Sequence, residues 1–293
     1  MSDNVICEPA QQDHDEKKAS AHSNLVAWVG ERHAEYYGPA QLFNVMRTSG
    51  WGRADAVAAL LEALPGELHD EVRMLLRGAP DPDLSNSPSA ITIDGHTVQV
   101  LCEMRNPRLV VYGNLLTRDE CDELIAGASS RLARSTVTNG TDSVVNDVRT
   151  SSGMFFQRDE NPLCARLGAR IAALLDWPAT YAEDIQVLRY GKDQQYEPHH
   201  DYFDAEGDAK WSSVFRRGGQ RVGSIVIYLN TPPLGGSTVF PDIPMEVRAV
   251  AGNAVFFAYD TPDASSRTLH GGAPVSEGEK WVAVKWFRQG PFE

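Results

Sequence analysis

The sequence predicts an α+β fold, and three observations predict it. Apolar residues recur at helical spacing from Asn24 to Arg77. Two amphipathic helices with recognisable N-terminal caps follow, opening at Thr117 and at Asn161. After Asp184 the rhythm changes to short β-type runs divided by Gly, Pro and Asp clusters, a pattern that reads as a sandwich or barrel. The chain has 293 residues, 42% apolar and 23% charged, which is enough for one large domain and a smaller one.

Residues 1–22 mix Asp, Glu, Gln, Lys, Ser and His with few large apolar side chains. Such a stretch buries too little surface to offset its ordering entropy, and it is expected to be a disordered tail. Residues 23–78 form a helical module, in which Val57, Leu60, Leu61 and Leu64 share one face before Pro65-Gly66 ends the run. Trp28, Tyr36, Tyr37, Phe43 and Trp51 are read as core aromatics of that module. Residues 79–105 are expected to be a linker and a hairpin. The prolines and small polar residues of 79–88 suit a linker, and Ile91–Val100 alternates around Asp94-Gly95, a hairpin signal.

The rest, 106–293, forms the main domain. Thr117-x-x-Glu120 is a capping box, and Cys121, Leu124, Ile125, Ala128 and Leu132 make the stripe behind it. Asn161-Pro162 starts a helix with Leu167, Ile171 and Leu174 on its apolar side. Strands are expected over Ile185–Tyr190, Val222–Leu229, Thr238–Phe240, Ala254–Tyr259 and Trp281–Phe287. Ser135–Asp147 and Asp204–Gly219 read as mobile loops.

With 27 basic against 40 acidic residues the formal net charge is −13, which disfavours a nucleic-acid or membrane-surface partner. No apolar stretch approaches the roughly 18 residues of a spanning helix, and Met1–Ser20 has no apolar signal core. A soluble, cytoplasmic protein is expected. Cys7, Cys102, Cys121 and Cys164 form no C-x-x-C pair, and no Walker loop, dinucleotide fingerprint or His-Glu-x-x-His occurs.

The chemistry-bearing segment is Tyr196-Glu-Pro-His-His-Asp-Tyr202. His199 and Asp201 are two apart in an expected strand, so they project from one face. His270 follows Asp201 by 69 residues, and a jelly roll could bring it beside them. Two imidazoles and one carboxylate leave metal positions open, the arrangement of non-haem Fe(II) oxygenases. Lys280 and Trp286 are an even number apart, so in an unbroken strand both face inward, and an inward lysine calls for an anion.

Six strings, in order, resemble the prolyl 4-hydroxylase-like Fe(II)/2-oxoglutarate dioxygenases. They are Val148-Arg-Thr-Ser-Ser-Gly153, Gln186-Val-Leu-Arg-Tyr190, Tyr196–Tyr202, Gly218-Gly-Gln-Arg-Val222, Gly235-Gly-Ser-Thr-Val-Phe-Pro241 and Lys280-Trp-Val-Ala-Val-Lys-Trp-Phe287. The resemblance covers Asn106 to Glu293 and implies a double-stranded β-helix (jelly-roll) catalytic core. It implies Fe(II) ligation by His199, Asp201 and His270, and a pairing of Lys280 with the distal carboxylate of 2-oxoglutarate, beside Tyr190 and Thr238.

The resemblance also makes Arg221 and Trp286 catalytic-site residues and assigns Arg149, Ser151, Glu183 and Tyr196 to the substrate. Each has a structural alternative: core aromatics for Tyr196 and Trp286, ion pairs for Arg149, Glu183 and Arg221, a turn for Ser151. The sequence departs from the family at His200, where an aromatic is frequent, and at Arg288, where the algal-type sequence has histidine. Both departures bear on substrate preference.

The implied activity is hydroxylation of peptidyl proline, coupled to oxidative decarboxylation of 2-oxoglutarate to succinate, with Fe(II), O2 and an ascorbate requirement. The implied partner is a proline-containing peptide or protein. The alternative acceptor is a free amino acid or other small molecule. A non-catalytic binding module would need a broken triad, and all three residues are in place.

Overall fold

The computed structural model describes residues 9–134, 137–139, 142–144, 150–203 and 213–292. The N-terminal module has four helices: α1 (Pro9–Ala34), α2 (Pro39–Thr48), α3 (Arg53–Ala63) and α4 (His69–Arg77). Val29, Leu42, Phe43, Leu60, Val72 and Leu75 fill a core between them. Helix α1 corrects the expectation of a disordered tail over residues 9–22, while residues 1–8 lie outside the described residues. Residues such as Gln12, Glu16, Lys17 and Ala19 are strong helix formers, so a composition too polar for a core still makes a helix. Tyr36 is also corrected: it lies in the turn after α1 with φ 67° and is 94% exposed, not in the core.

The expected hairpin forms as β1 (Ala90–Ile93) and β2 (His96–Met104). Asp94 and Gly95 both have positive φ, 47° and 80°, as a two-residue turn between right-twisted strands requires. Strand β2 runs on to Met104 and pairs with β3 (Arg108–Gly113). The hairpin therefore belongs to the main sheet instead of standing apart with the linker.

Helix α5 (Arg118–Ser129) opens on the Thr117/Glu120 capping box, with both reciprocal hydrogen bonds made. After β4 (Ala133–Arg134), β5 (Val137–Asn139), β6 (Asp142–Val144) and β7 (Ser152–Phe156) comes α6 (Pro162–Leu175). Asn161 caps α6 through the Cys164 N–H. Arg170 on α6 donates twice to Glu120 on α5, 2.8 Å each, clasping the two helices.

The remaining elements are β8 (Ile185–Tyr190), β9 (Tyr196–His199), α7 (Ser213–Arg216), β10 (Arg221–Tyr228), β11 (Leu234–Gly235), β12 (Thr238–Phe240), β13 (Met245–Val247), β14 (Ala254–Ala258), β15 (His270–Gly272), β16 (Val275–Glu277) and β17 (Lys280–Arg288). One antiparallel sheet runs β1-β2-β3-β14-β10-β17-β8-β7-β4, and a smaller one runs β13-β12-β15-β9. Together they make a jelly roll. Val226, Tyr228, Phe240, Phe257 and Val284 fill the space inside it, while Leu124, Leu167, Ile171, Phe256 and Phe287 form the layer between the large sheet and α5 and α6. The two expected loops fall largely outside the described residues, apart from the β5–β6 pairing and the chain from α7 onward.

Candidate metal centre and cosubstrate pocket

Strands β9 and β15 lie side by side with His199 directly opposite His270. Asp201 comes after the end of β9, in a bend, and not within the strand. Its carboxylate still turns to the same point: Oδ1 is 3.5 Å from His199 Nε2, and Oδ2 is 3.5 Å from His270 Nε2. One ligand atom from each residue lies within 4.8 Å of the others, the one such cluster of three among the described residues.

The backbone fixes both rings. His199 Nδ1 donates to the Glu197 carbonyl at 2.8 Å, and His270 Nδ1 donates to the Thr268 carbonyl at 3.0 Å. Because a carbonyl only accepts, each Nδ1 carries a proton, and in both residues Nε2 is the ring atom turned to the shared point beside Asp201. Burial pushes His270 down to about 4, so the ring stays neutral. Burial opposes the charge on Asp201, but His270, His199 and Arg221 outweigh it and hold its carboxyl well below the usual range. Ser224 Oγ donates to Asp201 Oδ2 at 2.6 Å and is itself 2.9 Å from Tyr259 Oη. Two imidazole Nε2 atoms and an ionised carboxylate on one side of a cavity fit a divalent iron with open positions.

Tyr190, Tyr196, Thr238, Lys280, Val282 and Trp286 line the same cavity as the three ligand candidates. The alternation along β17 sends Lys280, Val282, Val284 and Trp286 into it and Trp281, Ala283 and Phe287 to the helix side. Lys280 Nζ lies 5.7 Å from the ring centres of both Tyr190 and Tyr228. Burial is the cause that pushes Lys280 down to about 8, and no carboxylate among the described residues pairs with it. Thr238 Oγ1 accepts from Tyr228 Oη at 2.8 Å, which fixes the wall beside the lysine.

The other expected site residues divide into those at the pocket and those behind it. Tyr196 stacks on His199 with ring centres 3.6 Å apart. Arg221 stacks on Trp286, 4.0 Å from its ring centre, and its Nη1 approaches the Asp201 carbonyl at 3.4 Å. Arg221 also donates twice to Glu183, at 2.6 and 2.8 Å, and Arg288 donates to the same carboxylate at 2.8 Å. Burial opposes each charge, yet the pairing with Arg221 keeps Glu183 ionised. Glu183 thus sits in an ion-pair network bordering the pocket. Ser151 is fully buried. Arg149 lies outside the described residues. His200 is not among the residues lining the cavity and stacks on Tyr202, ring centres 4.6 Å apart.

Sequence reasoning missed Ser224, Tyr259 and Tyr228. A register shift between Arg221 and Gly223 lets Arg221 and Ser224, three apart, both reach Asp201. A strict two-residue alternation would place them on opposite faces, and Gly223 inside the strand was the available sign of the irregularity. Alternation from Ser224 then gives Val226 and Tyr228.

A two-histidine, one-carboxylate centre inside a jelly roll defines the non-haem iron oxygenase class. Residues 185–288 match the 2OG-Fe(II) oxygenase superfamily. The chain is 35% identical over 235 residues to prolyl 4-hydroxylase 2 of Arabidopsis thaliana, covering 72% of this chain and 76% of that protein. Against prolyl 4-hydroxylase 1 of the same plant the identity is 40% over 203 residues, covering 63% and 70%. Among solved structures, the viral collagen prolyl hydroxylase of Paramecium Bursaria Chlorella virus-1 in its 2OG complex has a TM-score of 0.48 and 26% identity, covering 61% of this chain and 95% of that one. The chain belongs to the prolyl 4-hydroxylase family of 2OG-Fe(II) oxygenases. It is a dioxygenase that uses Fe(II), 2-oxoglutarate and O2.

Proposed function

We propose that this protein hydroxylates proline within a peptide or protein chain, at the 4 position. His199, Asp201 and His270 hold Fe(II). Lys280 binds the distal carboxylate of 2-oxoglutarate, with Tyr190 and Thr238 forming the adjoining wall. Held there, the iron and the keto acid would supply O2 chemistry in which 2-oxoglutarate loses CO2 to become succinate, one oxygen atom of O2 going to succinate and the other to the substrate C–H bond.

The observation that carries the reading is the joint occupation of one cavity by the ligand trio and by a buried lysine that no carboxylate among the described residues partners. A dianionic keto acid would supply the negative charge that the buried ammonium lacks and so offset the cost of burying it. Tyr196, Arg221 and Trp286 border the peptide side, where the aromatic faces suit a proline ring and its flanking backbone. Glu183 supports that side by holding Arg221 in place, and for Ser151 and Arg149 the substrate role rests on the family resemblance alone.

The test is a panel of proline-containing peptides and free amino acids, with Fe(II), 2-oxoglutarate, ascorbate and air. Peptides are expected to stimulate succinate release and to gain one oxygen atom on proline. Oxygen appearing on a free amino acid, with every peptide unchanged, would overturn the assignment in favour of a small-molecule acceptor.

A further inference from the structure

The N-terminal module reaches the rim of the pocket through a run of buried amides. Asn44 Nδ2 on α2 donates to Gln289 Oε1 at 2.6 Å, across 245 positions of sequence. The same oxygen accepts from the backbone N–H of Gln220 at 3.0 Å, and the Gln289 N–H donates to the Gln220 carbonyl at 3.1 Å. The Gln220 side chain then grips the chain just beyond Asp201. Its Oε1 accepts from the Phe203 N–H at 2.8 Å and the Arg221 N–H at 2.9 Å, and its Nε2 donates to the Phe203 carbonyl at 2.8 Å. Asn44, Gln220 and Gln289 are each 6% exposed or less. No room is left at this seam, since a Cβ on Gly219, at φ 75°, would lie 2.6 Å from the Ala40 Cβ on α2.

What this run of amides holds is the peptide side of the site. The Phe203 ring lies 4.6 Å from the Arg221 guanidinium and 4.9 Å from that of Arg288, and Arg221 in turn stacks on Trp286. The Asp201 carboxylate has its own support in Ser224, and Lys280 stands on the opposite end of β17 from Trp286. A buried amide that loses its partner leaves the remaining group unsatisfied, and within a network the loss propagates to the next bond.

From this geometry we infer that Asn44, Gln289 and Gln220 are positioning residues through which the helical module sets the Phe203–Arg221–Trp286 side of the pocket for the peptide. The inference rests on the peptidyl-proline reading of the site. The helical module is then part of the substrate-binding apparatus, acting through residues that never touch the substrate.

The test compares the full-length protein with Asn44→Leu, Gln289→Leu and the double variant. Three quantities are read: KM and kcat for a hydroxylated peptide, peptide-independent succinate formation, and hydrogen exchange at the Phe203 and Arg221 amides. Asn44→Leu is expected to raise the peptide KM about tenfold and to speed exchange at both amides to a similar degree. Peptide-independent turnover stays within about twofold of wild type. The double variant adds little to either single one, as expected of coupled members of one network.

Should Asn44→Leu fail to fold, Asn44→Ser, whose hydroxyl is too short to reach Gln289, gives the same reading. Unchanged KM with unchanged exchange overturns the inference. So does a parallel fall of peptide-dependent and peptide-independent turnover, which would mark a general loss of structure. If the wild-type protein hydroxylates no peptide, the peptidyl reading fails. The exchange data then show separately whether the amides couple α2 to Phe203.

Discussion

Lys280 carries its charge into the pocket with only 4% of its surface exposed. Burial lowers it to about 8, so without cosubstrate the amine begins to lose its proton just above neutrality. A bound dicarboxylate favours the charged form and raises that value. Affinity for 2-oxoglutarate is therefore full below about pH 8 and falls as the pH rises through it, by up to about tenfold per pH unit. Anaerobic titration between pH 7 and 9.5 reads this directly. Lys280→Ala is expected to weaken binding by about ten- to a hundredfold and to remove the pH step, whereas a profile equally flat in both proteins would contradict the role. The inward direction of this lysine was legible from its even spacing to Trp286. The Ser224 support of Asp201 was not, because one irregular residue in β10 shifts every later parity count. Glu183 shows a different limit: its residue type fitted a substrate contact and an ion pair equally, and only three-dimensional neighbours reveal that Arg221 and Arg288 share its carboxylate.

Strands β9 and β15 bring the two histidines together, and their closeness depends on Gly271. A Cβ there would lie 2.9 Å from the Tyr196 carbonyl oxygen and 3.0 Å from the Pro198 nitrogen, both backbone atoms that cannot swing aside. Gly271→Ala is expected to cost about 1–3 kcal/mol of stability and to weaken metal binding by spreading the ligand-bearing strands. Gly30, in α1 with nothing within 4 Å of a built Cβ, is the control. Gly30→Ala is expected to be neutral or stabilising by up to about 1 kcal/mol. Thermal unfolding together with metal titration separates the two, and equal behaviour would contradict the packing argument. Elements with local chemistry were readable in advance: the Asp94-Gly95 turn, the Thr117 capping box and the Asn161 cap. Strand β3 was not, because Leu109–Tyr112 is apolar throughout and buried on both faces, which gives no period to count. The first part of helix α1, before Ser23, was hidden for the opposite reason, being too polar to suggest packing.

Across the molecule, three apolar layers divide the labour: one inside the jelly roll around the pocket, one behind the large sheet, one within the helical module. The division between module and main domain could be seen in the change of periodicity. The way they join could not, since contacts such as Asn44 to Gln289 carry no trace in either local sequence. The family resemblance began at Asn106, yet the large sheet begins with the hairpin at Ala90, an extension that only strand pairing discloses. What all of this architecture serves is a ferrous ion facing a keto acid, and that arrangement has an optical signature. Fe(II) added anaerobically to the protein with 2-oxoglutarate is expected to give a visible metal-to-keto charge-transfer band at one iron per chain. In Asp201→Ala the band is expected to disappear, together with tight iron retention. A band of wild-type intensity in Asp201→Ala would contradict the assignment of His199, Asp201 and His270 as the iron site.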